Sequence, residues 1–425
     1  MGGGGGDGAV ARTEVEHGCG MHRGWASSAR GVVILVYRLG ISAPGRLRRL
    51  SMPSVLLVLA SGCTTGLGPR AVRTERPDYN RQIIRSNDSE LLLNLVRLRY
   101  NDSIFFTSVG GIVAQYTYDA TLNAGGTAGG GNPAGATFGT ALDYGEKPTI
   151  TYTPLTGSEA AARLLAPISI DSIMLFQQAG WSADRLLLLT VQRVNDVVNA
   201  PTAGGPTPAR KPDFEAFADL AARMERLREA RLEGVNWVQK AHEAEPSGPD
   251  QKKPETKAPG RELVFWIHQP ANPGSPLAAD VAAVRRALDL EPGRDEFTIT
   301  EFPYRRQPSE VGVDSRSLLG VLYFLSQSVE VPAEDVQAGL VTVTEDALGQ
   351  PFDWSRITRK IMTIHSQQKR PENAYVAVQH RGWWFYIADD DHTSKATWSF
   401  LSILFALQSA SAQGKAPLLT LPIGK

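Results

Sequence analysis

Between Ile112 and Asn123 the side chains alternate with a period of two. Ile112, Ala114, Tyr116, Tyr118, Ala120 and Leu122 form one set, and Val113, Gln115, Thr117, Asp119, Thr121 and Asn123 the other. Only Val113 breaks the polar set, so this tract is a strand with one apolar and one polar face. Gly125 to Gly135 follows, a stretch dense in glycine with Asn132-Pro133 inside it, which suits a turn. The alternation then returns, with Phe138, Leu142 and Tyr144 against Thr137, Asp143 and Gly145, and finally Ile150 and Tyr152 against Thr149, Thr151 and Thr153. Residues 104–153 are therefore expected to form a long amphipathic β-hairpin. A transmembrane strand needs about 9–11 residues of this pattern, with tyrosines favoured near the interfaces. One hairpin cannot cross a bilayer alone, because its edges leave backbone groups unpaired in hydrocarbon. Two readings stand at this point. Several subunits pool their hairpins into one closed barrel, or the apolar face is covered by a helix at the rim of a soluble sheet.

A second motif concerns where such a chain resides. Leu56 to Ala60 is apolar, Ser61-Gly62 is small, and Cys63 follows directly; Arg46, Arg48 and Arg49 stand just upstream. A basic segment, a short apolar run and small residues make a secretory signal, and the run is too short for a membrane-spanning helix. The residues up to Cys63 resemble the lipobox of bacterial lipoproteins, with Ala60 where that family prefers Leu. The resemblance implies removal of the signal and acylation of Cys63, which makes membrane lipid a partner through palmitate-like chains. Thr64 in place of Asp implies, by the same resemblance, sorting to the outer membrane with the protein facing the periplasm. Residues 1–62 read as leader and signal, and 1–45, with Gly2 to Gly6, as an upstream extension ahead of the natural start. Leu91–Tyr100, Pro148–Gly157 and Trp383–Ile387 are similar to stretches of uncharacterised Gram-negative lipoproteins, a resemblance that implies no activity.

Charge is balanced, 44 basic against 44 acidic side chains, which argues against nucleic acid as a partner. Two cysteines cannot build a disulfide scaffold. After the anchor, residues 63–77 read as a tether. Helical spacing or capping predicts helices over Asp78–Tyr100, Ser158–Leu165, Asp171–Ala179, Phe214–Leu232, Leu277–Leu288, Ser315–Ser328 and Thr393–Ser409. Strands are expected over Leu263–His268, Glu296–Glu301, Ile357–His365 and Leu418–Leu421. Leu186–Val198 is ambiguous and is tilted to strand by its β-branched residues. Ala374–Gln379 and Trp383–Ile387 form a hairpin around His380-Arg381-Gly382. Prolines 246, 249, 254 and 259 among charged residues mark 243–260 as a disordered linker. These elements give an α+β fold, a mixed sheet with packed helices, in two domains at 78–242 and 261–425.

Catalytic signatures are scarce. No histidine sits in a zinc spacing, and there is no nucleophile elbow, P-loop or dinucleotide fingerprint, so neither a metal nor another cofactor is expected. Asp389-Asp390-Asp391-His392 offers acid–base chemistry, yet it precedes a helix that needs a cap. Trp383, Trp384 and Tyr386 are candidates for a protein interface or a glycan platform, with Trp384 and Tyr386 on one face. The leading expectation is a non-enzymatic structural or pore-forming subunit, homo-oligomeric or bound to envelope proteins. Its alternatives are a lipid-anchored polysaccharide or peptidoglycan binder and a periplasmic hydrolase.

Overall fold

The structure, a computed structural model, describes residues 35–37, 67–127, 135–240, 260–301 and 307–410. Cys63, the hairpin tip at 128–134, most of the 243–260 segment and Leu418–Leu421 lie outside these residues. The chain divides into two units. One comprises Met1–Cys63 with Gly110–Thr151, the other Thr64–Val109 with Tyr152–Lys425.

The first unit holds most of a three-stranded sheet in which β1 and β3 are antiparallel. Its strands are β1 (Leu35–Tyr37), β2 (Thr107–Thr127) and β3 (Gly135–Pro154), in the order β1-β3-β2. Tyr37 pairs with Phe138 and Leu35 with Thr140, so β1 borders one edge of β3.

The second unit is α+β. Helix α1 (Leu67–Arg99) takes in residues 67–77, which read as tether from the sequence, and Pro77 lies inside it. That stretch has no apolar stripe to announce a helix, and the residues from Arg76 to Asn87 are exposed apart from Tyr79 and Ile83. From Leu91 the helix turns inward: Leu92, Leu95 and Val96 are fully buried. Further along the chain lie α2 (Ser158–Leu165), α3 (Ile170–Gln178), α4 (Ala183–Thr190), α5 (Glu215–Glu229) and α6 (Pro276–Ala287). A six-stranded sheet runs β5-β4-β9-β8-β7-β6. It comprises β4 (Val191–Val194), β5 (Val197–Val198), β6 (Glu233–Lys240), β7 (Gly260–Ile267), β8 (Glu296–Thr300) and β9 (Glu310–Ser315). Only β8 and β9 are parallel.

Three expectations are corrected here. The segment at 243–260 does not separate a pair of domains, because β6 and β7 on either side of it pair from Glu233–Ile267 to Lys240–Gly260 within one sheet. Proline-rich, polar composition marks a connection, whether it joins domains or neighbouring strands. Residues 186–198 are helix up to Thr190 and strand only from Val191, since the apolar stripe Ala183, Leu186, Leu189 is a buried helical face. Ile357–His365 is not a strand: α9 (Ser355–Thr358) buries Ile357, and only from His365 is the chain extended.

A fully buried arginine ties the sheet to its helices. Arg316 donates to the carbonyls of Leu188, Leu189 and Val191 at 2.8, 3.1 and 3.2 Å and to that of Asn199, and its guanidinium lies 4.2 Å from the Phe324 ring centroid. It thereby satisfies carbonyls freed where α4 ends and β4 begins. Burial pushes its pKa down to about 9. Helix α7 (Leu318–Ser326) follows, apolar on every side and almost wholly buried, which makes it the centre of the core. After α8 (Ala333–Gln337), a second three-stranded sheet runs β10-β12-β11, made of β10 (His365–Gln367), β11 (Ala374–His380) and β12 (Trp383–Ala388). Arg381 and Gly382 turn β11 into β12 with φ of 49° and 88°, the pair of positive angles that matches the twist of a two-residue hairpin. Helix α10 (His392–Ala410) completes the described chain.

Candidate functional site

Within the second unit, side chains of α1 hold the chain where β2 begins. Both oxygens of Glu90 accept from Thr107, the first residue of β2: one from its N–H and one from its hydroxyl, each at 2.5 Å. One turn further, Asn94 is fully buried and closes on Phe105 from both ends of its amide, donating to the carbonyl at 2.6 Å and accepting from the N–H at 3.2 Å. Leu155 N–H donates to the Phe106 carbonyl at 2.9 Å, joining the two legs at their base. Phe106 itself is buried against Phe405 of α10, with ring centroids 4.9 Å apart. Glu90 and Asn94 lie four residues apart, on one face of the helix. The sequence run 91–98 reads as a core helix, but nothing in it reveals that Glu90 and Asn94 anchor the strand.

Strand β2 is 21 residues long and β3 is 20. At about 3.4 Å per residue each arm spans roughly 70 Å. The strands contain every residue named for the hairpin: Ile112, Ala114, Tyr116, Tyr118 and Leu122 in β2, and Phe138, Leu142, Tyr144, Ile150 and Tyr152 in β3. At the base, Ile150 and Tyr152 are exposed.

The second candidate surface is the outer face of the β10-β12-β11 sheet. Phe385 and Ile387 are fully buried and Trp383 packs against the same core, which turns Trp384 and Tyr386 to the opposite face. Trp384 pairs with Gln367 on one side and Gln379 on the other, and Tyr386 with His365 and Ala377. The Arg370 guanidinium lies 5.4 Å from the Trp384 ring, and His365 lies 5.4 Å from that of Tyr386. His365 Nδ1 meets Glu330 Oε2 at 2.9 Å, a contact that holds its pKa above the ordinary imidazole range. On the other side of the hairpin turn, burial lowers the pKa of His380, against the opposing effect of Asp102 at 3.1 Å. Trp383, Trp384 and Tyr386 thus do not share one platform; only the latter two do.

The acidic run before α10 is engaged in structure. Asp391 accepts from the Ser394 N–H at 3.0 Å and from its hydroxyl at 2.5 Å, capping the helix, and Asp389 pairs with Lys395 at 2.7 Å. Among the described residues no three His, Cys, Asp or Glu side chains are grouped to hold a metal ion. Among the same residues no helix is long and apolar enough to cross a membrane.

Comparison of the chain with protein-family models, with curated proteins and with solved structures found no match. The functional reading therefore rests on the residues themselves.

Proposed function

We propose that the chain is a lipid-anchored outer-membrane subunit, tethered through acylated Cys63 and facing the periplasm, whose hairpin joins those of other copies in a shared β-barrel. The observation that carries this reading is the uninterrupted length of β2 and β3, 21 and 20 residues, over the alternating tracts. That is about twice what a bilayer crossing requires. Rooting by Glu90 and Asn94 adds to it, since an inserted strand needs a fixed point of departure. Closure by several copies meets the demand that every backbone group in hydrocarbon be paired. Cleavage ahead of Cys63 would also remove β1 and free the edge of β3 that it borders, where a neighbouring copy's strand would then pair. The partners of this reading are membrane lipid and further copies, or other envelope proteins; it involves no catalysis and no cofactor.

The test is the mass of the full-length, lipidated protein in detergent. Wild type should run as a ring-sized oligomer and fall to a monomer when residues 112–145 are deleted. A detergent-free, monomeric Cys63→Ser variant that retains function would overturn the proposal.

A second reading is favoured by one feature, the outer sheet face where Trp384 and Tyr386 stand among Gln367, Gln379 and Arg370. Aromatic rings flanked by amides suit stacking on sugar rings, as a peptidoglycan or polysaccharide binder requires. Loss of glycan pull-down in Trp384→Ala, with the detergent mass unchanged, would favour this reading. The third possibility, a hydrolase using Asp389–His392, draws no support from a run whose Asp391 is a helix cap and whose Asp389 is paired with Lys395.

A further inference from the structure

Helices α3, α4 and α5 leave a cavity of about 80 Å³ over one face of the six-stranded sheet. Its floor comes from five neighbouring strands, β6 to β4, through the cross-strand pairs Val235–Phe265, Ile299–Val311 and Val313–Val194. Neighbouring strands stand about 4.8 Å apart, so the four intervals carry this floor over roughly 19 Å. Met174 of α3, Leu186 of α4 and Met224 of α5 close it from above. Val235, Ile299 and Val313 face the helices yet are only half-buried, so the cavity opens to the outside.

Shape and lining select the occupant. Aliphatic walls offer water too few hydrogen-bond partners to hold it and favour an apolar guest. A floor that crosses five strands suits an extended chain better than a compact ring. Among the described residues Phe265 is the lone aromatic of the lining, and two methionines adapt to a flexible chain.

One end of the guest is also specified. Arg228 is the charged residue of the lining and Gln177 the other polar one, both half-buried. Nε and Nη2 of Arg228 donate to a single oxygen of Glu233 at 2.9 and 2.7 Å, which fixes the guanidinium in place. That occupies one fork of the group. Nη1 donates to no protein atom among the described residues, and the side chain is 23% exposed. A guanidinium fork takes a carboxylate through two parallel hydrogen bonds, and Arg228 can hold one carboxylate on each side.

We propose that this cavity binds a single-chain alkyl carboxylate, the chain laid across the sheet and the head on the Nη1 side of Arg228. The site belongs to the second unit and does not depend on the shared-barrel reading.

The test is photolabelling of the full-length, lipidated protein in vesicles, using decanoate with a diazirine at its chain end. The adduct should fall on residues 170–194, 224–235 or 299–313, which carry the lining. Unlabelled decanoate should compete about tenfold better than decanol, the difference that one charge-assisted contact of 1.4 kcal/mol supplies. Val235→Phe and Val313→Phe fill the cavity from half-buried positions, and each should reduce the adduct about tenfold at an unchanged thermal midpoint. Arg228→Gln with Glu233→Gln replaces the ion pair by two amides; it should keep the adduct and erase the advantage of decanoate over decanol. If a filling variant unfolds, this double variant decides. An adduct undiminished in both filling variants, or one confined to 107–154, would overturn the proposal, as would equal competition by decanoate and decanol in the wild type.

Discussion

Glu90 accepts two hydrogen bonds from Thr107, one from its backbone and one from its hydroxyl, and so fixes the residue at which the long hairpin begins. A carboxylate on a helix that is otherwise core from Leu91 onward thereby sets where a strand of 21 residues departs. Glu90→Ala removes both bonds. Bonds to charged acceptors contribute about 1.5–3 kcal/mol each at most, and the solvent-accessible part of this site reduces that, so a loss of roughly 1–3 kcal/mol is expected. Urea unfolding of the second unit measures it, and faster proteolysis near residue 107 should accompany it.

Glu233 gives a pH dependence with a definite sign. Its side chain is buried, one oxygen is bonded by Arg228 at 2.7 and 2.9 Å, and the other has no hydrogen-bond partner. Burial raises its pKa from 4.5 to about 6, against the lowering effect of Arg228. The folded chain therefore retains a proton that the unfolded chain has already released, and stability falls as pH rises from about 4.5 through about 6. The displacement corresponds to roughly 2 kcal/mol. Glu233→Gln cannot ionise, so the fall in urea midpoint that Glu233 adds across that window in the wild type should be missing from the variant.

Arg316 should tolerate no replacement, including lysine. One ammonium cannot serve carbonyls that the planar guanidinium reaches as a fork. Arg316→Lys leaves buried acceptors unpaired, each costing about 1–3 kcal/mol, so guanidinium unfolding should register a loss of roughly 3 kcal/mol or more.

The two histidines flanking the aromatic hairpin should titrate apart. His365 is raised chiefly by its bond to Glu330, and His380 is lowered chiefly by burial. NMR titration of the ring protons should place His365 above 6.5 and His380 below it, and Glu330→Gln should bring His365 down without moving His380. The raised His365 stabilises the fold below the unfolded imidazole pKa and loses that contribution as pH rises through its folded value. The lowered His380 does the reverse, costing stability as pH falls below the unfolded value.

Much of this architecture was legible in the chain. Period-two alternation marked both arms of the hairpin, because a strand with two unlike faces writes its pattern residue by residue. Helices with a buried stripe, such as Glu215–Glu229, were equally plain. What stayed hidden depends on partners distant in sequence. Strand β6 turns to exposed positions from Asn236 onward, and its place is set by pairing with β7 across the proline-rich segment. Residues 186–198 mislead because β-branched side chains favour strands locally, while burial of Leu186 and Leu189 decides for helix up to Thr190. Of the candidate sites, the split of Trp384 and Tyr386 from Phe385 followed from alternation alone. The anchoring roles of Glu90 and Asn94 did not, since a polar residue in an apolar helix does not say whether it faces water or a strand.

Whether β2 lies in a shared barrel is read directly by a fluorescence scan along the strand. Single cysteines from 112 to 123, labelled with an environment-sensitive dye in the lipidated oligomer reconstituted into vesicles, read the polarity at each position. Blue-shifted emission at 112, 114, 116, 118, 120 and 122, with water-like emission at the intervening positions, is the result predicted for a hairpin in a shared barrel. Water-like emission at every position scanned would contradict it.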